Sequence, residues 1–253
     1  MTHKIALCIW LFLSALPSVA HGQQLHDPIV DGELVFGEMD GLVAVEAEYF
    51  YKQTESTVRQ WYRTSNKEMA SVGRDDDGPH WKDAGNHAYL EILPDTRVSH
   101  EDTLTAGKNF SNTPGKIGIL HYKVNIENPG RYYVWVRAYS TGSEDNGLHV
   151  GINGNWPESG QRLQWCEGKN TWHWESKQRT EAVHCGEPFL IYLDIEKAGV
   201  HDLTFSMRED GFEFDRFLLS REKEYHPEGT GPGVNVHSGA LPEAYSSLNQ
   251  NSN

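Results

Sequence analysis

The stretch Val43 to Phe50 reads VAVEAEYF, and a single Ala separates its two carboxylates, Glu46 and Glu48. On a strand that spacing puts both acids on one face, where like charges repel and each needs a counter-charge. A third carboxylate, Asp215, lies inside the apolar segment FEFDRFLLS (212–220), where a lone charge is costly. Calcium, a hard ion that takes six to eight oxygen ligands, would satisfy all three and join the first and last strands. Backbone carbonyls after residue 51 would complete the shell. The residues alone equally allow Glu46 or Glu48 to pair with Arg216 or to face solvent.

A second set of residues suits sugars, whose apolar ring faces stack on aromatics while their hydroxyls take polar side chains. Trp172 and Trp174, two apart in GKNTWHWES (168–176), share a strand face and offer a platform for consecutive sugar units, with core burial as the alternative. Asp145 and Asn146 in TGSEDNG (141–147), and Arg208 and Asp210 in REDG (208–211), are hydroxyl-binding candidates. Simple turn formation explains the first pair as well. Arg137 and Arg179 are forks for a uronate or sulfate, or else structural ion pairs. Tyr139 shares a strand face with Arg137 and Trp135, while Trp135 and Trp165 read as core.

These groups need strands to position them, and a period of two dominates the chain. Strands are expected at 43–50, 87–93, 117–126, 131–140, 147–153, 161–166, 171–176, 188–195, 200–208 and 212–220, with turns at NPG (128–130), NG (153–154) and KAG (197–199). Many short strands without alternating helices mean an antiparallel β-sandwich. Residues 51–86 read as a long polar loop, with Trp61 and Trp81 arguing for a function.

Residues 1–22 read as a secretory signal peptide, with an apolar run too short to span a bilayer. A polar leader (23–40), a sandwich (41–220) and a flexible C-terminal tail (221–253) follow. Export leaves Cys166 and Cys185 as a pair, which favours a disulfide over two buried thiols. Their spacing does not suit zinc. The formal charge of −14 argues against nucleic acid or an anionic membrane as partner.

The order VAVEAEYF, LHYKVNIENPGRYYVWVRAYS, LDIEKAGVHDLTFSM and FEFDRFLLS resembles the galactose-binding-domain-like sandwich of carbohydrate-binding modules. The similarity is to families six and thirty-five and to the C-terminal domain of family 115 glycoside hydrolases, over roughly residues 41 to 220. It implies a jelly-roll β-sandwich, a structural calcium on Glu46, Glu48 and Asp215, and a secreted or periplasmic, noncatalytic module that binds polysaccharide. Its target is acidic, sulfated or neutral glycan, and a catalytic partner not visible in the chain is expected. The long 51–86 segment and the insertion WCEGKNTWHWESKQRT (165–180) depart from that pattern. No Gly-x-Ser-x-Gly, His-Glu-x-x-His or phosphate-cradling loop is present. A polysaccharide hydrolase or lyase and a protein-binding or adhesion scaffold remain the alternatives.

Overall fold

The computed structural model describes residues 24–242. The signal peptide assigned to 1–22 and the end of the expected tail lie outside the described residues. Strands are numbered in chain order. One sheet contains β1 (Val35–Gly37), β3 (Lys52–Thr54), β6 (Ile119–Ile126), β8 (Gly147–Ile152), β9 (Leu163–Gln164), β11 (Lys177–Gln178), β12 (Glu187–Pro188), β14 (Gly199–Met207) and β16 (Val236–Ser238). The other contains β2 (Leu42–Glu46), β4 (Gln60–Ser65), β5 (Ala88–Leu93), β7 (Gly130–Tyr139), β10 (Trp172–Glu175), β13 (Tyr192–Ile195) and β15 (Glu213–Ser220).

The first sheet runs β12-β11-β9-β8-β14-β6-β1-β16 with β3 also on β6; the second runs β10-β7-β15-β5-β4, with β13 on β7 and β2 on β15. All pairs are antiparallel except β1 with β6. The two sheets enclose one large core that includes Leu90, Ile92, Val134, Val136, Phe205, Phe214 and Phe217. This is the expected β-sandwich. The alternation of apolar and polar residues along strands such as β6 turns one face to the core, while the central strands β5 and β15 are buried on both faces.

Three segments depart from the expected pattern. The strand begun at Leu42 stops at Glu46, and Ala47–Tyr49 forms a 3-10 turn. Tyr49 and Phe50 are both buried in the core, which strict alternation does not permit. Residues 51–86 are not one loop: they hold β3 and β4, and Trp61 is fully buried with its indole N–H donating to the Gly118 carbonyl at 2.7 Å.

The chain beyond Ser220 also returns to the body. β16 pairs with β1, so part of the expected leader and part of the expected tail form a sheet edge. Trp174 donates to the Gly229 carbonyl at 3.0 Å, and Arg216 to that of Pro232 at 2.8 Å. Their polar composition concealed the order because backbone and buried side-chain donors hold these segments.

Candidate functional site

The outer face of the second sheet gathers most of the chemistry. Register aligns Tyr62, Glu91, Glu213, Tyr139 and Trp172 across β4, β5, β15, β7 and β10. One step along β15 the pairing with β7 shifts at Phe214–Arg216. Such a bulge adds an unpaired residue and bends the strand. Phe214 and Phe217 face the core, and both Asp215 and Arg216 are turned to the outer face.

Glu46, Glu48 and Asp215 lie beneath Gly85 and Asn86, close enough for their charges to interact. They are not among the acid groups of the described residues whose ligand atoms all come within 4.8 Å of one another. The Gly85 N–H donates to Asp215 Oδ1 at 2.7 Å, and Arg137 Nη1 to Asp215 Oδ2 at 2.5 Å. Arg216 Nε lies 3.1 Å from Glu46 Oε2. Asn86 donates its amide to Glu48 Oε1 at 3.1 Å and to the Tyr49 hydroxyl at 3.0 Å. A Cβ on Gly85 would come within 2.6 Å of Glu46 Oε2, so only glycine lets the cover sit this close. Burial, partly opposed by the Arg216 charge, pushes the Glu46 carboxyl up to about 8. Burial and the Glu46 charge push Glu48 well above its usual range.

The fit to a cation is therefore uneven. Glu48 Oε2 is buried without a donor, as an oxygen reserved for a metal would be, whereas Glu46 Oε2 is ion-paired with Arg216 and both Asp215 oxygens are occupied. Arg137, one of the expected sugar contacts, is instead the counter-ion of Asp215, and both side chains are buried.

A second acid group lies on the same face. Asp77, His80 and Glu213 each bring a potential ligand atom within 4.8 Å of the others, and Asp75, Asp77 and Glu91 do the same. The segment that supplies Asp75, Asp77 and His80 is anchored to the aromatic row. The His80 ring stacks on Tyr139 at 3.7 Å, and the Trp172 indole donates to the His80 carbonyl at 2.9 Å.

Trp172 and Trp174 do not form a common platform. Trp172 is half-buried against Tyr139 and Tyr89 and borders a recess of about 380 Å³ with Tyr139 and Arg137. Trp174 is buried with Ala44, Trp135 and Leu218. They do share the outer face, but the segment around Gly229 covers one of them.

Two of the other four expected contacts lie at a loop-lined cleft of about 690 Å³ beside the edge of the first sheet. Asn146 and Arg208 line it. Asn146 is internally satisfied, accepting from Gln164 and donating to the Ser143 carbonyl at 2.7 Å, and Arg208 pairs with Glu209. Asp145 and Asp210 are structural. Asp145 accepts from the Thr141 and Gly142 amides at 2.5 and 3.0 Å, and Asp210 accepts from Arg59 and the Thr96 amide, both at 2.9 Å.

The cleft's character comes from residues beside the disulfide. Arg97, Arg162, Lys169, Arg179 and Arg208 line it against Glu144 and Glu209. Arg97 pairs with Glu144, and Lys169 donates to Ser140 Oγ at 2.5 Å. Arg162 and Arg179 have no carboxylate partner among the described residues. Burial and the neighbouring Arg208 charge lower Arg179, and the Arg179 charge in turn lowers His184. Such mutual repulsion marks a site with positive charge to spare. Cys166 and Cys185 form a disulfide with Cα atoms 5.4 Å apart, tying the segment after Arg162 to the segment after Arg179.

Of these basic residues, Arg179 and Arg208 stand out in the sequence. Arg162 and Lys169 flank Cys166, and that proximity to a predicted bridge was the available signal. Arg97 lies in a loop with no pattern to mark it.

No family model matches the chain. An uncharacterized protein of Formosa agariphila is 55% identical over 249 residues, covering 98% of this chain, and this chain spans 60% of that protein's length. A family 35 carbohydrate-binding module (CBM35) of Paenibacillus barcinonensis superposes with a TM-score of 0.36 at 12% identity, over 71% of this chain and 99% of its own. A GH26-CBM35 β-(1,4)-mannanase of Podospora anserina gives a TM-score of 0.36 at 14% identity, over 75% of this chain and 29% of its own. Superpositions this loose carry no weight for the ligand.

Proposed function

We propose that the chain is a secreted, noncatalytic polysaccharide-binding β-sandwich, stabilised by a structural calcium ion, whose target is an acidic glycan, sulfated or uronic. The observation that carries this reading is the pair of partly buried, unpaired guanidiniums, Arg162 and Arg179, in a loop-lined cleft of a protein with formal charge −14. A guanidinium presents a planar fork that matches carboxylate and sulfate-like oxygens, and desolvation in a cleft strengthens the contact. Leu104 and Phe110 supply apolar lining for a sugar ring face. Asn146 and Arg208 shape the wall. Weak contacts to each repeat suffice where a polymer offers many equivalent sites.

The calcium part of the reading rests on Glu48, whose buried Oε2 has no donor, and on Glu46, which would share its carboxylate between the ion and Arg216. Asp215 would help from the same cluster while it holds Arg137 and the Gly85 amide. Calcium supplies positive charge that lets these buried acids ionise.

Electrophoresis of the purified protein in native gels containing single polysaccharides tests the function. Retardation by a sulfated or uronic polymer, with polymer chain length unchanged afterwards, is the expected result. Shortening of the polymer would replace the reading with an enzyme, and no retardation by any glycan would replace it with a protein-binding scaffold.

A further inference from the structure

The two acid groups on the outer face of the second sheet differ in how their charge is balanced. In the first, Arg216 approaches Glu46 and Arg137 bonds Asp215. In the second, Asp75, Asp77 and Glu91 form one group and Asp77, His80 and Glu213 another, joined at Asp77, with no Arg or Lys paired to any of these acids among the described residues; His80 Nδ1, 2.7 Å from Glu213 Oε1, is the sole basic partner. The charges that reach Glu91 and Glu213 from neighbouring segments, Asp95 and Asp145 included, are negative.

Burial adds to this. Glu91 and Glu213 are 3% and 1% exposed and sit directly opposite each other on β5 and β15. His80 fixes Glu213 Oε1, while Glu213 Oε2, in the same buried cluster, has no donor; Asp75 Oδ1 is likewise unpartnered. Asp77 is exposed and closes the group from the solvent side.

We infer that Asp75, Asp77, Glu91 and Glu213 form a second divalent-cation site, separate from Glu46, Glu48 and Asp215, of the class that takes calcium. Two overlapping groups that share Asp77, with unpartnered buried oxygens on Asp75 and Glu213, match a hard ion that accepts many oxygen ligands in irregular geometry. A soft thiolate-preferring metal finds no ligand here. The ion binds two residues of the covering segment and one from each of two neighbouring strands, so it pins residues 75–80 to the sheet. His80 is a positioning residue: stacked on Tyr139, it orients Glu213 and leaves Oε2 free. Asp75 and Asp77 belong to the segment by which this chain departs from the sandwich pattern it resembles.

Calcium chloride titrated calorimetrically into the chelator-treated full chain, with melting curves in chelator and in calcium, tests the site. The Asp77→Asn/Glu213→Gln variant is expected to bind one equivalent less than the wild type, while Glu48→Gln keeps that equivalent. Melting should invert in sign. The double variant removes repulsion and melts above the wild type in chelator, then below it in saturating calcium. An unchanged stoichiometry, or a melting difference of the same sign and size in both conditions, overturns the site. If the double variant does not fold, Asp75→Asn and Asp77→Asn, on the solvent side, carry the test: each should weaken one calcium equivalent at least tenfold, and an unchanged affinity in both overturns the site. If Glu46 and Glu48 hold no ion, the wild type binds one equivalent and the double variant none, which separates the two claims.

Discussion

Arg162 and Arg179 line the same cleft with no carboxylate partner among the described residues, although the protein has 36 acidic residues against 22 basic ones. Acids are plentiful, so leaving two guanidiniums free in a concave site is a specific arrangement. Its first consequence is salt dependence. Binding of an acidic polysaccharide should weaken steeply between 50 and 500 mM salt (about these limits bracket useful screening), and any affinity for a neutral polymer should barely move. Arg179→Lys keeps the charge but loses the fork, so it should recover only part of the affinity lost in Arg179→Ala. Isothermal titration across the salt series reads both effects.

The cleft is also held covalently. Cys166 and Cys185 are 19 residues apart in sequence, and closing a loop of that length contributes about 3 kcal/mol through the unfolded chain. Replacing both with Ser should lower stability by about that amount in denaturant titration. It should also weaken glycan binding in the folded protein, because the segments after Arg162 and Arg179 are no longer tied.

His149 supplies a pH dependence. It is fully buried; Nδ1 accepts from the Arg162 amide at 3.1 Å and Nε2 donates to the Ser111 carbonyl at 3.0 Å, so the neutral ring is the form the fold holds. Burial pushes its pKa from 6.5 down to about 4. The unfolded chain therefore binds more protons between those values, and the contribution, complete above 6.5, is lost as pH falls toward 4. Measured in denaturant against His149→Gln, the wild type should lose up to about 3 kcal/mol over that window.

The returning C-terminal segment is structural. Ending the chain at Ser220 removes β16 from β1 and uncovers Trp174, whose indole bonds the Gly229 carbonyl. Exposing an indole and a sheet edge should cost on the order of 2–4 kcal/mol. The melting temperature and dye binding to apolar surface would show it; an unchanged melting temperature would mean the segment is dispensable.

The sandwich was legible because long strands such as β6 and the second half of β14 alternate apolar and polar residues. In the acid motif the expected strand geometry does not hold: Glu46 ends a strand and Glu48 lies in a 3-10 turn, and both feel the Asp215 charge. Sequence does not reveal what covers Trp174 and Asp210, two of the expected ligand contacts: here a distant carbonyl and Arg59. Tyr139, Glu213 and Glu91 become a row only through cross-strand register, and Arg162 meets Arg179 only through the fold and the disulfide.

The most direct measurement compares wild type and the Arg162→Gln/Arg179→Gln variant for affinity to a sulfated or uronic oligosaccharide of defined length, both variants being checked for an unchanged melting temperature. Two lost charge-assisted contacts predict a loss of at least about 100-fold. Equal affinity in the two proteins would contradict the cleft as the binding site.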